Sequence, residues 1–211
     1  MDHERQRMVK TQLARRGISD QAVLWAMSTV PRHLFLPEKV RAHAYEDRAL
    51  PLDEGQTISQ PFVVALMAQA LMLQNTDRLL EVGTGSGYAA AVLSLLTSEV
   101  YTVERSQMLA NIAQQRLDQL GYHNVHVFHR DGTAGLPEYA PYDAISVAAA
   151  SPWVPLPLRQ QLAHEGRLII PVGGRSEQLL LRLKRRRDTI HVEQLSGVRF
   201  VPLVGEHAWD N

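Results

Sequence analysis

An α/β fold on a mostly parallel, doubly wound sheet with helices on both faces is what this sequence predicts, and three observations carry the prediction. From Arg78 to Val172, short apolar and β-branched runs alternate with helix-forming stretches, the pattern of strand–helix–strand crossovers. The first of these strands runs into a glycine turn, Gly83-Thr84-Gly85-Ser86-Gly87, and then into the helix-forming Ala89-Ala90-Ala91-Val92-Leu93. Beyond residue 175 the apolar runs follow one another without helices, which predicts antiparallel strands added to one sheet edge.

Each element has a local reason. Residues 4–16 are polar helix formers and Gly17 suits a C-cap. Ser19 or Asp20 can cap a second helix carrying Val23, Leu24, Met27 and Val30 at helical spacing, which Pro31 stops. Residues 32–52 have turn signals at Pro37 and Pro51 but no period, and 53–61 read as a loop. Pro61 opens a helix that buries Val63, Val64, Met67, Ala70 and Leu71. Strands follow at 78–82, 99–103, 124–128, 142–147 and 167–172. The helices between them are expected at 87–97, at 106–120 ending on Gly121, and at 155–165 with Leu156, Leu158 and Leu162 inward. The tail reads as strands at 178–183, 189–195 and 198–203, with the basic run Lys184–Asp188 as a solvated hairpin tip rather than a polyanion patch.

The composition excludes several classes. At 211 residues the chain is long enough for one domain with a real core, divided here into an N-terminal helical and loop extension (1–60), a central sheet (61–175) and C-terminal strands (176–211). Lys plus Arg equal Asp plus Glu at 22 each, so the basic excess expected of a nucleic-acid or membrane-surface protein is missing. Without cysteine there is no disulfide, thiolate nucleophile or cysteine metal site. No apolar run approaches the ~20 residues of a membrane span and the charged N-terminus leads into no apolar core, so a cytoplasmic protein is expected. A monomer is expected as well.

The glycine turn is a cradle for a nucleotide-like ligand, because glycine lets backbone approach closely and a helix start offers N–H groups. Its spacing, Gly83, Gly85, Gly87, differs from the dinucleotide fingerprint, and Tyr88 stands where that fingerprint wants a third glycine. Glu81 would repel a pyrophosphate and suits a cation. Glu104, at the end of the second strand, can accept from ribose hydroxyls, and Asp131, before Gly132 after the third strand, can accept from a base amine. Each acid has a plainer alternative: Glu104 could cap the following helix, and Asp131 could begin a turn. Together they describe an adenosine with a positive appendage, which fits S-adenosyl-L-methionine, with its sulfonium and ammonium and no phosphate.

The chain resembles the Rossmann-like S-adenosylmethionine-dependent methyltransferases in this turn, and more narrowly the protein-L-isoaspartate O-methyltransferases. The narrower resemblance rests on Val30–Phe35, Ala49-Leu50-Pro51, Gly55-Gln56-Thr57-Ile58-Ser59-Gln60-Pro61, Glu81–Tyr88 and Val198–Leu203, in the family's order along nearly the whole chain. It implies methylation of the free α-carboxylate of isoaspartyl residues in damaged proteins and peptides. It also implies that Ser59 and Thr57 orient that carboxylate, Ser59 being the catalytic candidate. Gly83 and Gly85 would approach the methionine part, Glu104 would meet the ribose and Asp131 the adenine, with Glu81, Gly87 and Gly132 also in the cofactor site. Val201 and Leu203 would line the place of an extended substrate backbone. The plainer reading of Ser59 is a cap or ST-turn before Pro61. The chain departs from the family at Asp53, Arg130 and Ser151. Three rivals stand: a methyltransferase of the same fold with another carboxylate or a small-molecule substrate, a nicotinamide-dependent dehydrogenase, and a non-catalytic binding paralogue. Tyr88 and Glu81 disfavour the dehydrogenase, and the Ser59 loop disfavours the paralogue.

Overall fold

Helical segments open the chain, in a computed structural model that describes residues 1–52, 54–187 and 189–210; Asp53 and Asp188 lie outside the described residues. Helix α1 (Asp2–Met8) continues through a π-helical and a 3-10 turn to Arg16, and Gly17 ends it at φ 100°. In α2 (Gln21–Thr29) it is Asp20 that caps, accepting from the amides of Ala22 and Val23. Two 3-10 stretches fill Arg32–Phe35 and Glu38–His43. Next comes a feature absent from the sequence reading: β1 (Leu50–Pro51) pairs antiparallel with β2 (Thr57–Ile58), so the presumed loop is a small hairpin. Pro61 sits in the first turn of α3 (Pro61–Leu71), as expected, although Val63 is only half-buried.

The main sheet contains β3 (Arg78–Val82), β4 (Glu99–Glu104), β5 (Val125–His129), β6 (Tyr142–Val147), β7 (Leu162–Gly173), β8 (Gln178–Arg186) and β9 (Thr189–Val198), in the order β5-β4-β3-β6-β7-β8-β9. Strands β5 to β7 pair in parallel, and β8 and β9 are antiparallel edge additions. The alternating faces of the strands feed two cores. Leu79, Val100, Val125, Ala144 and Ile169 pack beneath α2, α3, α4 (Tyr88–Ser94) and Leu117 of α5 (Gln107–Gln119). Leu80, Val82, Ile145, Leu168 and Ile170 face Leu158 of the short α6 (Leu156–Gln160) and the C-terminal segment at Leu203 and Ala208. Both faces are covered, one far more lightly than the other.

Three readings need correction. The helix expected over 155–165 stops at Gln160, and Leu156 is 56% exposed. Leu162 begins β7 opposite Tyr142, and a bulge follows before Ala144 meets Arg167. No strand forms over 198–203; Pro202 makes a single parallel bridge with Ala150. The basic run belongs largely to β8, where Lys184 pairs with Glu165 and Arg185 donates to the carbonyl of Leu162. The strand order reverses between β3 and β6. Ligands bind at the carboxyl ends of strands at such a switch point.

Candidate active site

The cleft at this point is built from four pieces of chain. Val82–Ser86 and Val103–Arg105 supply its floor, Ala148 and Ala149 one wall, the hairpin residues Gln56–Ser59 a cover, and Val201–Val204 the far side. The Val201–Leu203 segment is fastened to the end of β6: the amide of Ala150 donates to the carbonyl of Val201 at 2.8 Å, and the amide of Leu203 donates to that of Ala150 at 2.7 Å. The hairpin is held from below. Asp47 accepts from the amide of Phe62 (2.9 Å) and from the Gln60 amide group (2.7 Å), so Asp47, not Ser59, satisfies the start of α3. The Ser59 hydroxyl has no partner among the described residues. A second groove of about 860 Å³ shares Thr57, Ser59, Ala148 and Val201 with the cleft and runs on past Val63, Val172–Gly173 and Ser176–Leu179 to Gly197–Phe200. Its size suits a ligand of peptide-segment dimensions.

The glycine turn is left-handed at Gly83 (φ 97°) and Gly85 (φ 53°), both on the cleft. Gly87 is buried away from it; a Cβ there would stand 3.3 Å from Leu117, so this glycine serves the packing of α4 on α5. Glu104 is well placed. One carboxylate oxygen accepts from the amide of Gly85 (2.9 Å), the other from the amide of Ser106 (3.0 Å), and the group lies on the cleft wall with lone pairs to spare. The cap of α5 is Ser106 itself, whose hydroxyl accepts from the amide of Leu109.

Glu81 and Asp131 stand elsewhere than expected. Glu81 is fully buried beneath the turn and off the cleft wall. The Thr102 hydroxyl is hydrogen-bonded to one of its oxygens at 2.6 Å, and its other oxygen has no partner. Burial pushes its carboxyl up to about 8, against the pull of the Thr102 hydrogen bond and with a further push from Glu104. Asp131 begins a turn, the plainer alternative. Its carboxylate accepts from the amide and hydroxyl of Thr133 and, on the other oxygen, from the amide of Glu206, so it staples the C-terminal segment and is off the cleft wall. Burial alone would raise its pKa, but the bonds from Glu206 and Thr133 hold it below the ordinary value. Gly132 does reach the cleft. A Cβ there would stand 2.5 Å from Cγ1 of Val82, so only glycine lets the third strand's exit pass under the first. Gly132→Ala should cost about 1–3 kcal/mol through overpacking, read as a fall in Tm.

The departures from the family pattern separate cleanly. Arg130 pairs with Glu138 on the surface and does not line the cleft. Ser151 is buried and bridges Val172, while Ala148 and Ala149 before it form the wall. Asp53 lies outside the described residues, and its neighbour Glu54 accepts from the hydroxyl of Ser106. Thr84 and Ser86 also line the cleft but were not singled out from sequence; hydroxyls interleaved with the glycines were the available signal. Tyr88, on the same wall, is fixed between the ring of Phe35 and the buried Arg32 guanidinium, which lies 4.8 Å from its ring centroid.

The residues present fit an adenosine ligand. Glu104 and Arg105 are the only charged side chains among the described residues on the cleft wall, and Glu104 offers an acid where ribose hydroxyls need acceptors. A family model described as Protein-L-isoaspartate(D-aspartate) O-methyltransferase matches residues 3–208. The chain is 61% identical over 207 residues to the protein-L-isoaspartate O-methyltransferase of Roseiflexus castenholzii, covering 98% of this chain and 94% of that one. It is 56% identical over 210 residues to the second such enzyme of Pelobacter propionicus, covering 99% and 93%. Among solved structures, one described as a protein-L-isoaspartate O-methyltransferase superposes with TM-score 0.87 at 30% identity, over 99% of this chain and 67% of that one. A Plasmodium falciparum structure of the same description, in complex with S-adenosyl-L-homocysteine, gives 0.82 at 27% identity, over 95% and 98%.

Proposed function

The chain belongs to the protein-L-isoaspartate(D-aspartate) O-methyltransferase family, and from that premise we propose which of its residues carry the reaction. The protein transfers the methyl group of S-adenosylmethionine to the free α-carboxylate of L-isoaspartyl residues in damaged proteins and peptides. The cofactor supplies a methyl group already activated by a sulfonium. The substrate carboxylate resembles a chain terminus, pKa ~3.5, and is ionised at neutral pH without a general base. No histidine lines the cleft among the described residues, which suits a reaction limited by alignment rather than by proton transfer.

One observation supports the residue roles above the others. Thr57, Ser59, Ala148 and Val201 are common to the cleft and to the groove, so the hairpin stands where cofactor and peptide would meet. Ser59, with its unengaged hydroxyl, holds the attacking carboxylate, and Thr57 flanks it. Gly83 and Gly85 border the methionine part, Glu104 takes the ribose hydroxyls and Gly132 leaves room for the base. Val201 and Leu203 border the peptide backbone. Among the described residues no helix is long and apolar enough to cross a membrane. A cytoplasmic monomer completes the proposal, and the balanced charge supports the absence of a nucleic-acid partner. The test is transfer of labelled methyl to an isoaspartyl peptide and to its aspartyl twin. The first should be labelled and the second not; equal labelling, or none, refutes the substrate assignment.

A further inference from the structure

Glu81 lies on β3 with Thr102 beside it on β4 and Ser146 on β6. Its carboxyl ends a hydrogen-bonded chain that begins in the cleft. Thr84, on the cleft wall, shares a 2.7 Å bond with Thr102, and the Thr102 hydroxyl is 2.6 Å from Oε2 of Glu81. Oε1 has no partner and the side chain is fully buried. Each hydroxyl has one hydrogen, so the chain has two directions. With Glu81 ionised, Thr102 donates to it, Thr84 donates to Thr102, and Thr84 shows the cleft a lone pair. With the proton on Oε2, Glu81 donates to Thr102, Thr102 to Thr84, and Thr84 turns its hydrogen to the cleft.

We propose that binding of the cationic cofactor expels the proton of Glu81, which passes to solvent as H⁺ while the Thr84–Thr102 chain reverses to face the ligand with acceptors. The inference rests on S-adenosylmethionine occupying the cleft. Without it, burial keeps the carboxyl protonated: its pKa is raised to about 8. Among the described residues the charged group that acts on Glu81 is Glu104, on β4, which opposes ionisation, and no cation acts beside it. A positive ligand in the cleft supplies the missing counter-charge, through a low-dielectric layer that weakens it little.

The sign follows from linkage. A proton released on binding makes affinity rise with pH, by up to about tenfold per unit below a pKa near 8, and level off above it. Calorimetric titration of the whole protein with S-adenosylmethionine, in phosphate and in Tris at about pH 7, reads the proton directly from the difference in heats. The wild type should release close to one proton. Glu81→Gln, a mimic of the protonated carboxyl, should release none, have lower affinity and show a flat pH profile; it also subtracts any proton exchanged by the cofactor's own amine. Thr102→Val keeps the carboxyl but removes its one hydrogen bond, so release should fall as in Glu81→Gln. Binding by the wild type without proton release, or equal release by all three proteins, overturns the coupling. Failure of the wild type to bind the cofactor at all overturns the cofactor site and the coupling together.

Discussion

Glu104→Ala is expected to weaken S-adenosylmethionine binding by about 1–3 kcal/mol, roughly fivefold to 150-fold in Kd. Two losses combine. The first is the acceptor proposed for the ribose. The second is the carboxylate that fixes the turn, since it takes the amides of both Gly85 and Ser106. Gly85 is held at φ 53° and would keep that geometry less well without its partner. The unfolding midpoint should therefore fall too, unlike the result for a residue that touches only the ligand. Glu104→Gln separates the two: its carbonyl can still accept from one amide, while its NH₂ faces the other donor badly. Equilibrium binding and thermal unfolding of both variants check this. An unchanged Kd in Glu104→Ala removes Glu104 from the ribose role.

What the sequence revealed, and what it hid, follows the range of the interactions involved. The succession of strands along the chain from β3 to β7 was legible because each strand and its flanking glycine or cap lie within a few residues of one another, as with Ser106 at α5 and Asp20 at α2. The hairpin of β1 and β2 was not: two-residue strands have no period to read, and their pairing spans the chain from Leu50 to Ile58. Leu158 and Leu162 sit four apart as on a helix, yet Leu162 starts β7, because a bulge before Arg167 breaks the alternation that would have marked the strand. Asp131 shows the same limit at the site. An acid after the third strand reads alike whether it meets a ligand or the chain, and its partner Glu206 lies 75 residues on. Glu81 reads as an unusual acid beside the turn, and burial and Thr102 define its surroundings in the fold.

Ser59→Ala should lower kcat by roughly tenfold to a hundredfold, the range for losing a hydrogen bond of about 1.5–3 kcal/mol to a charged group. Cofactor affinity and stability should hardly move. The separation comes from the way the hairpin is built. The start of α3 is satisfied by Asp47 through Phe62 and Gln60, so no cap is lost with the Ser59 hydroxyl. The backbone pairing of Thr57 with Pro51 and Ile58 with Leu50 does not use that side chain. What remains for the hydroxyl is the substrate, on the boundary between cleft and groove. If it only contributed ground-state binding, KM would rise with kcat intact; if it aligns the attacking oxygen, kcat falls with kcat/KM. Steady-state kinetics on an isoaspartyl peptide, with cofactor Kd measured separately, distinguishes these. A Ser59→Ala protein that turns over at the wild-type rate would move the alignment task to Thr57, and one that loses the cofactor would show that Ser59 belongs to the cofactor cleft instead.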